Sequence, residues 1–239
     1  RVLDAWPANA RTLSDSDTVH VVASLESRGG NENHALELYR QLSRHRATRI
    51  WSPTMPHPEI ASQVPGRTID LARGAFPAEG VLVLVGHLFA VGDWLRQARP
   101  RRIVLNVCSI PIEAALNRVV EIEHCAPGCP LELASPSGPF REHFGLPGGV
   151  ETPLVPIERF ERTRPRPATG ISPLVIGRHS RDVPDKFHPD DPALFRALMR
   201  RGHSVRLMGA ALSLAPAFRN ERWPQLGLLP FGSMPAVEF

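Results

Sequence analysis

The amino-acid sequence predicts an α/β fold in which two Rossmann-like units, each built on a parallel sheet, follow one another along the chain. Three observations predict it. Short buried-strand runs alternate with helical periodicity, a proline- and arginine-rich stretch interrupts that alternation, and the alternation then restarts. Strands separated by helices form parallel sheets with helices on both faces. The length of 239 residues is enough for two small domains.

The first unit opens with the β-branched run Val19 to Leu25, which is typical of a buried strand. The diglycine Gly29-Gly30 then forms a turn. Apolar residues spaced from Ala35 to Leu42 predict a helix, with Asn31 as its N-cap. Residues 1–17 have no clear periodicity and are expected to form a tail or linker.

The same alternation continues through the rest of a first domain, expected to span residues 18–157. Further strands are predicted at Arg49 to Ser52, Val81 to Val85, Arg102 to Val107 and Leu131 to Ala134. Helices are predicted around Leu88 to Leu95, at Pro111 to Val120 and at Ser137 to Phe144.

Residues 158–170 carry several arginines and helix-breaking prolines, which indicates an interdomain linker. A second unit, expected over residues 171–239, starts with a strand at Leu174 to Ile176. Its helix opens at Asp190-Asp191-Pro192, where acidic residues and proline suit a first turn. The next strand is Val205 to Met208, and we expect this second unit to be incomplete within the chain.

The composition is ordinary for a globular protein, with 42% hydrophobic residues, a net charge of +4 and three cysteines. The sparse cysteines indicate a reducing compartment, so we expect a cytoplasmic protein. His124, Cys125 and Cys129 do not have the spacing of a zinc site. The arginines are scattered, so we expect no nucleic-acid partner, while the basic balance permits contact with anionic lipid at the inner face of a membrane. The longest apolar stretch is too short to span a bilayer.

Lys186 is the only lysine, so the other 27 of the 28 basic Lys and Arg residues are arginine. Lysine is a mobile point charge, whereas arginine is a rigid planar fork. A lone lysine on the loop between a strand and a helix therefore indicates a site where a cation meets a phosphate. A solvated loop charge is the simpler alternative.

Four segments in order resemble bacterial glycosyltransferases of the GT-B fold, the retaining "group 1" type. They match the family's GGxxxH opening, its xPS segment, its crossover to the second domain and the start of its donor domain. The segments are Gly29 to His34, Leu133 to Ser137, Pro153 to Phe160, and Val175 to Lys186 with Arg201 to Gly209. The resemblance implies sugar transfer from a nucleoside-diphosphate sugar such as a UDP- or GDP-sugar, in glycan or cell-surface polymer synthesis. The acceptor would be a glycan, a lipid-linked molecule or a small molecule.

The resemblance gives Arg178 and Lys186 the role of binding the donor diphosphate, where negative charge grows during transfer. Gly29 and Gly30 are candidates for the same ligand, because glycine lets a backbone approach a phosphate closely. His87 follows a strand at the sheet edge where ligands bind, and it is the candidate catalytic residue.

His34 and Arg181 are predicted as further substrate contacts. No metal and no other cofactor is expected, because the sequence Asp15-Ser16-Asp17, which has the spelling of a metal motif, falls in the predicted tail.

Four departures from the family pattern leave other functions open. Cys108 stands where the family usually has histidine, and the crossover lacks its usual polar residues. The spacing from Arg178 to Lys186 is longer than the common form, and the family's Glu-x7-Glu motif would lie beyond Phe239. A non-catalytic nucleotide-sugar or partner-binding module of a larger assembly is one alternative, and a sugar-nucleotide epimerase is another. A dinucleotide oxidoreductase is weaker, because the first turn lacks GxGxxG.

Overall fold

The computed structural model describes residues 17–27, 29–87, 89–107, 112–151, 154 and 173–230, except the side chain of residue 185. The chain divides into two compact units, Arg1–Pro156 and Ile157–Phe239. The predicted linker at 158–170 and nearly all of the predicted tail lie outside the described residues.

The first unit contains a seven-stranded sheet in which neighbouring strands all run parallel, in the order β3-β2-β1-β4-β5-β6-β7. The strands are β1 (Val19–Ala23), β2 (Thr48–Ser52), β3 (Arg67–Thr68), β4 (Val81–Val85), β5 (Arg102–Asn106), β6 (Leu131–Ser135) and β7 (Gly149–Val150). The helices are α1 (Gly30–Ser43), α2 (Pro58–Ala61), α3 (Gly92–Gln97), α4 (Ile112–Cys125) and α5 (Gly138–His143).

The sheet separates two hydrophobic layers. Every residue of β1 and β4 is buried, as expected for central strands covered on both faces. Successive side chains alternate between the faces, so Leu82 and Leu84 belong to one layer while Val81, Val83 and Val85 belong to the other. Because neighbouring strands run parallel, their carboxyl ends lie at a common edge of the sheet.

The second unit contains a three-stranded parallel sheet in the order β10-β9-β8. Its elements are β8 (Val175–His179), a 3-10 turn (Pro184–Lys186), α6 (Asp191–Arg200), β9 (Ser204–Met208), α7 (Ala215–Phe218) and β10 (Leu226–Leu229). Phe195 and Met199 of α6 pack on Val205 and Leu207 of β9. The predicted α/β class with two parallel-sheet units is confirmed.

Several predicted boundaries shift. Gly29 is the cap residue of α1 and Asn31 lies inside the helix, so the predicted Asn31 cap was wrong. Helix α4 runs on to Cys125, five residues beyond the predicted end at Val120. The short elements α2, β3, β7, α7 and β10 were not predicted, because runs of two to four residues carry too little periodicity.

Candidate functional site

A cavity of about 570 Å³ opens at the carboxyl edge of the first sheet, beside the ends of β1 and β4. The strand order reverses between these two strands, and ligands of open α/β sheets bind at such a point. Its walls come from Ser24, Glu26, Asn31, Glu32, Pro53, Thr54, Ile69, Val85, Gly86, Phe89, Ala90, Val91, Gly92 and Trp94. The lining is therefore mainly apolar, with a few polar groups that could orient a ligand.

The first turn of α1 supplies one polar wall of this cavity. Gly86 has φ +84°, and a Cβ on it would stand 3.2 Å from Asn31 Nδ2, so glycine lets β4 end close to the helix. Glu32 accepts a hydrogen bond from Ser27 Oγ at 2.6 Å. Trp94 also lines the cavity and is only 5% exposed. Its Nε1 has no hydrogen-bond partner within the described part of the chain.

The loop that follows β4 is fastened to α4. Glu121 Oε1 accepts from the backbone N–H groups of Val91 and Gly92 at 3.2 and 3.4 Å. Arg118 pairs with Glu121 and donates to the backbone carbonyl of His87. The cavity wall formed by this loop is thus held by charged hydrogen bonds, which are stronger than neutral ones.

His87 lies directly after Gly86, at the strand end where the sequence predicts it. Its side chain is only 1% exposed, and it is not among the residues that line the cavity. The ring is therefore covered by protein in this structure, whereas a catalytic role requires access to a substrate. Catalysis by His87 stays a prediction.

His34 is 7% exposed and joins a buried polar cluster. Its Nδ1 accepts from the N–H of Leu154 at 3.2 Å, which assigns the ring proton to Nε2. That nitrogen lies 3.2 Å from Glu151 Oε1 and 3.1 Å from Asn106 Nδ2, while Asn106 donates to Glu151 Oε2 at 2.6 Å. Both ring nitrogens face protein groups in this structure, and contact of His34 with a substrate stays a prediction.

Gly29 and Gly30 begin α1 with ordinary backbone angles, Gly29 having φ −94° and ψ −175°. Neither glycine is needed for a left-handed turn. A Cβ on Gly30 would meet nothing within 4 Å, so its backbone is open on that side. Neither residue lines the cavity, and their contact with a diphosphate stays a prediction.

In the second unit, Arg178 at the end of β8 is occupied within its own loop. Its Nη1 donates to Asp191 Oδ2 at 2.6 Å, and its Nη2 donates to the backbone carbonyl of Lys186. The guanidinium also lies over the ring of Phe187, 4.7 Å from its centroid. The sequence predicts that the Arg178 guanidinium binds a diphosphate. In this structure, Nη1 and Nη2 both donate hydrogen bonds within the protein.

Lys186 ends the 3-10 turn and is exposed, as is Arg181. Next to Arg181 in the chain, the Asp182 carboxylate accepts from the N–H groups of Leu212 and Ser213, both at 2.8 Å. Partial burial pushes the pKa of Asp182 up, but these hydrogen bonds outweigh it and hold the pKa below its ordinary value.

The cysteines in the described residues contact separate backbone carbonyls: Cys129 Sγ lies 3.2 Å from that of Pro100, and Cys125 Sγ lies 4.0 Å from that of Gly92. Burial raises the pKa of the Cys129 thiol. Cys108 lies outside the described residues. Over the part of the chain that the structure describes, no group of three His, Cys, Asp or Glu side chains is placed to hold a metal ion.

Sequence reasoning missed Asn106, Glu151 and Asp191. Asn106 and Glu151 fall at or directly after strand ends, where polar residues meet at one sheet edge, and that position was the available signal. Asp191 was read only as part of a helix start.

No family model matches the chain, and no curated protein matches it by sequence. Solved structures match its fold. One is an alpha-glucosyltransferase in complex with UDP and a 13-mer DNA containing a central A:G mismatch, with a TM-score of 0.57 and 11% identity. Another is the alpha-glucosyltransferase with UDP and a 13-mer DNA containing an HMU base, with a TM-score of 0.56 and 11% identity.

The match covers 90% of this chain and 66% of each solved chain. The chain therefore shares the GT-B type fold of these enzymes, which confirms the predicted fold class, while membership of the retaining group 1 type stays a prediction. The prediction that nucleic acid is excluded as a partner was wrong, because both matched structures are complexes with DNA. None of the described helices combines the length and apolar composition that a bilayer crossing requires.

Proposed function

We propose that this chain is part of a glycosyltransferase that moves a sugar from a nucleoside-diphosphate sugar to an acceptor. The observation that carries the proposal is the fold match, which extends over 90% of the chain to an enzyme captured with UDP. The match spans 66% of that enzyme's chain, so the transfer reaction of the whole enzyme is a proposal for this chain.

The donor diphosphate is assigned to the loop after β8, in the second unit. The leaving nucleoside diphosphate gains negative charge as the glycosidic bond breaks, so a cation held near the phosphates lowers the barrier. Lys186 is exposed on this loop, and its flexible stem can follow the phosphate as charge moves. UDP is the first nucleotide to test, because the matched structures contain it.

The acceptor is assigned to the cavity in the first unit. Phe89 and Trp94 offer aromatic surface, while Asn31, Glu26 and Glu32 offer groups that bind hydroxyls. The unpartnered Trp94 Nε1 adds a donor on this wall. Following the family resemblance, we propose transfer with retention and without a metal ion, so that EDTA leaves activity unchanged.

The decisive measurement is calorimetric binding of UDP, GDP, ADP and NAD to the longest available form of the polypeptide. Saturable binding of one nucleoside diphosphate, weakened by Lys186→Ala, would support the proposal. Arg219→Ala is a matched control, because it removes an exposed cation from the same unit, at the end of α7. Binding of NAD alone would overturn the proposal, and nucleotide binding without transfer would favour a non-catalytic module.

A DNA acceptor is a second candidate, favoured by the DNA in both matched structures and by the net charge of +4. Attraction to phosphates releases counterions, so such binding should weaken steeply between low and high salt. A fluorescence-anisotropy titration with a 13-mer duplex at two salt concentrations tests this. Binding that does not change with salt would oppose a DNA acceptor.

A further inference from the structure

The loop after β8 places Lys186 at the end of a three-residue 3-10 turn. Lys186 N–H donates to the Val183 carbonyl at 3.1 Å, and Phe187 N–H donates to the Pro184 carbonyl at 3.1 Å. A three-residue 3-10 turn is marginal without outside support. The position of Lys186 therefore depends on whatever else fastens this turn.

Arg178 fastens it at two consecutive residues. One end of the guanidinium donates to the Lys186 carbonyl, and its face covers the neighbouring Phe187 ring. The other end is fixed by Asp191, whose Oδ2 lies 2.6 Å from Arg178 Nη1 and also accepts from the His188 N–H at 3.0 Å. Asp191 lies in the first turn of α6, where the helix dipole favours a carboxylate.

From these contacts we infer that Arg178 and Asp191 are a positioning pair that presents Lys186 to the pyrophosphate of the donor. The inference rests on the proposed function and deepens it. Two N–H groups of the Arg178 guanidinium are thereby used inside the protein, one by Asp191 and one by the Lys186 carbonyl. Lys186 is exposed on this loop, and holding its backbone reduces the entropy lost when it binds a phosphate.

Removing the charge of Asp191 separates this role from direct phosphate contact by Arg178. Asp191→Asn keeps the size of the side chain but weakens its hold on the guanidinium. If Arg178 itself binds the phosphates, freeing it should leave UDP affinity unchanged or higher. If the pair positions Lys186, UDP affinity should fall, on the order of tenfold.

A double-mutant cycle then shows whether the effect passes through Lys186. Lys186→Ala, Asp191→Asn and the double variant are compared by UDP calorimetry and by urea unfolding. We expect the double variant to bind UDP no more weakly than Lys186→Ala alone, because Asp191 has nothing left to position. Amide hydrogen exchange at Lys186 and Phe187 should speed up in Asp191→Asn without UDP present. Asp191→Glu should restore part of the affinity.

Glu221→Gln is the matched control. Glu221 pairs with Arg196 at 2.6 Å in the same unit, and Arg196 lies 5.0 Å from the centroid of the Phe218 ring. Breaking this second arginine–carboxylate pair should leave UDP affinity within twofold, a bound of roughly 0.4 kcal/mol.

The outcomes separate the two claims. Wild-type protein that binds no nucleoside diphosphate, or binds it equally well as Lys186→Ala, would overturn the proposed function and this inference together. Normal UDP binding that depends on Lys186, with unchanged affinity in Asp191→Asn or losses that simply add, would overturn the positioning pair alone.

Discussion

The first strand of each unit leads to a helix through a connection, and the two connections are built in different ways. Between β1 and α1 the chain reaches the helix at Gly29 and Gly30 with no side-chain cap; the backbone is open at Gly30, while a Cβ on Gly29 would stand 2.5 Å from Glu32 Oε2. Between β8 and α6 the connection is tied down by side-chain charges, from Asp182 at one end and Asp191 at the other.

The difference shows that the same strand-to-helix topology can bind a ligand in two ways. A bare helix N-terminus offers oriented N–H groups and depends on the absence of side chains. A loop that carries a cation must instead be held, because a long flexible side chain otherwise loses much entropy on binding. The first connection should therefore be sensitive to added volume, and the second to lost charge or lost packing.

Gly209→Ala should produce the largest effect, because it attacks the packing of the second connection. Gly209 has φ +78°, and a Cβ on it would stand 1.7 Å from the carbonyl oxygen of Ser180. We expect a loss of about 3 kcal/mol or more in the free energy of unfolding, measured by urea titration. Gly202→Ala is the control, since Gly202 has φ +85° but open space around the added Cβ. Equal losses of unfolding free energy in Gly209→Ala and Gly202→Ala would contradict the prediction that the contact with Ser180 makes Gly209 the more sensitive position.

His34→Ala tests the first unit by removing the centre of its buried polar cluster. Without the imidazole, the Leu154 N–H loses its hydrogen-bond acceptor, and Glu151 Oε1 loses the ring nitrogen 3.2 Å away. Stability should fall by about 2–3 kcal/mol in thermal and urea unfolding, because buried polar groups left unsatisfied are costly. His45→Ala, at an exposed position two residues after the end of α1, should change stability by less than about 0.5 kcal/mol. A similar small change at His34 would contradict the structural role assigned to it.

The sequence predicted the strands and helices with long periodic patterns, because those patterns depend on residues that are close together in the chain. β1 and β4 are runs of buried β-branched and aliphatic residues, and their parallel pairing follows from the alternation with helices. The cap of α1 was misplaced by two residues, because several small or polar residues in a row could each begin a helix.

The site was less predictable, since it depends on side-chain pairing across distant segments. Arg178 was identified as a phosphate-binding cation, but its partner Asp191 lies 13 residues away and takes up one end of its fork. His34 accepts a hydrogen bond from Leu154, 120 residues further along the chain, and no spacing in the sequence predicts that contact. Residue type and strand position predict where polar groups gather, whereas only the packed structure decides which of them are used internally.

Asp182→Asn should have a smaller effect, and the effect should depend on pH. The carboxylate anchors the second connection through two backbone N–H groups, and the amide can replace only part of this. We expect a loss of about 1 kcal/mol at neutral pH. Because the pKa of Asp182 is lowered in the folded state, its contribution is complete above the ordinary pKa of about 4 and is lost as the pH falls through the lower folded value. A difference between wild type and variant that stays constant down to pH 2 would contradict this anchor.

Gly30→Ala should have the smallest effect on stability and the most informative effect on binding. The added methyl meets nothing within 4 Å and stands at the first residue of α1, so stability should rise by less than about 1 kcal/mol. Gly138→Ala is matched to it, because Gly138 is the first residue of α5 and is equally open. If the first connection works through a bare backbone, UDP binding to the longest available polypeptide should weaken in Gly30→Ala and not in Gly138→Ala. If both variants bind UDP like wild type, the diglycine only starts a helix, and the ligand-binding role falls to the charged connection of the second unit.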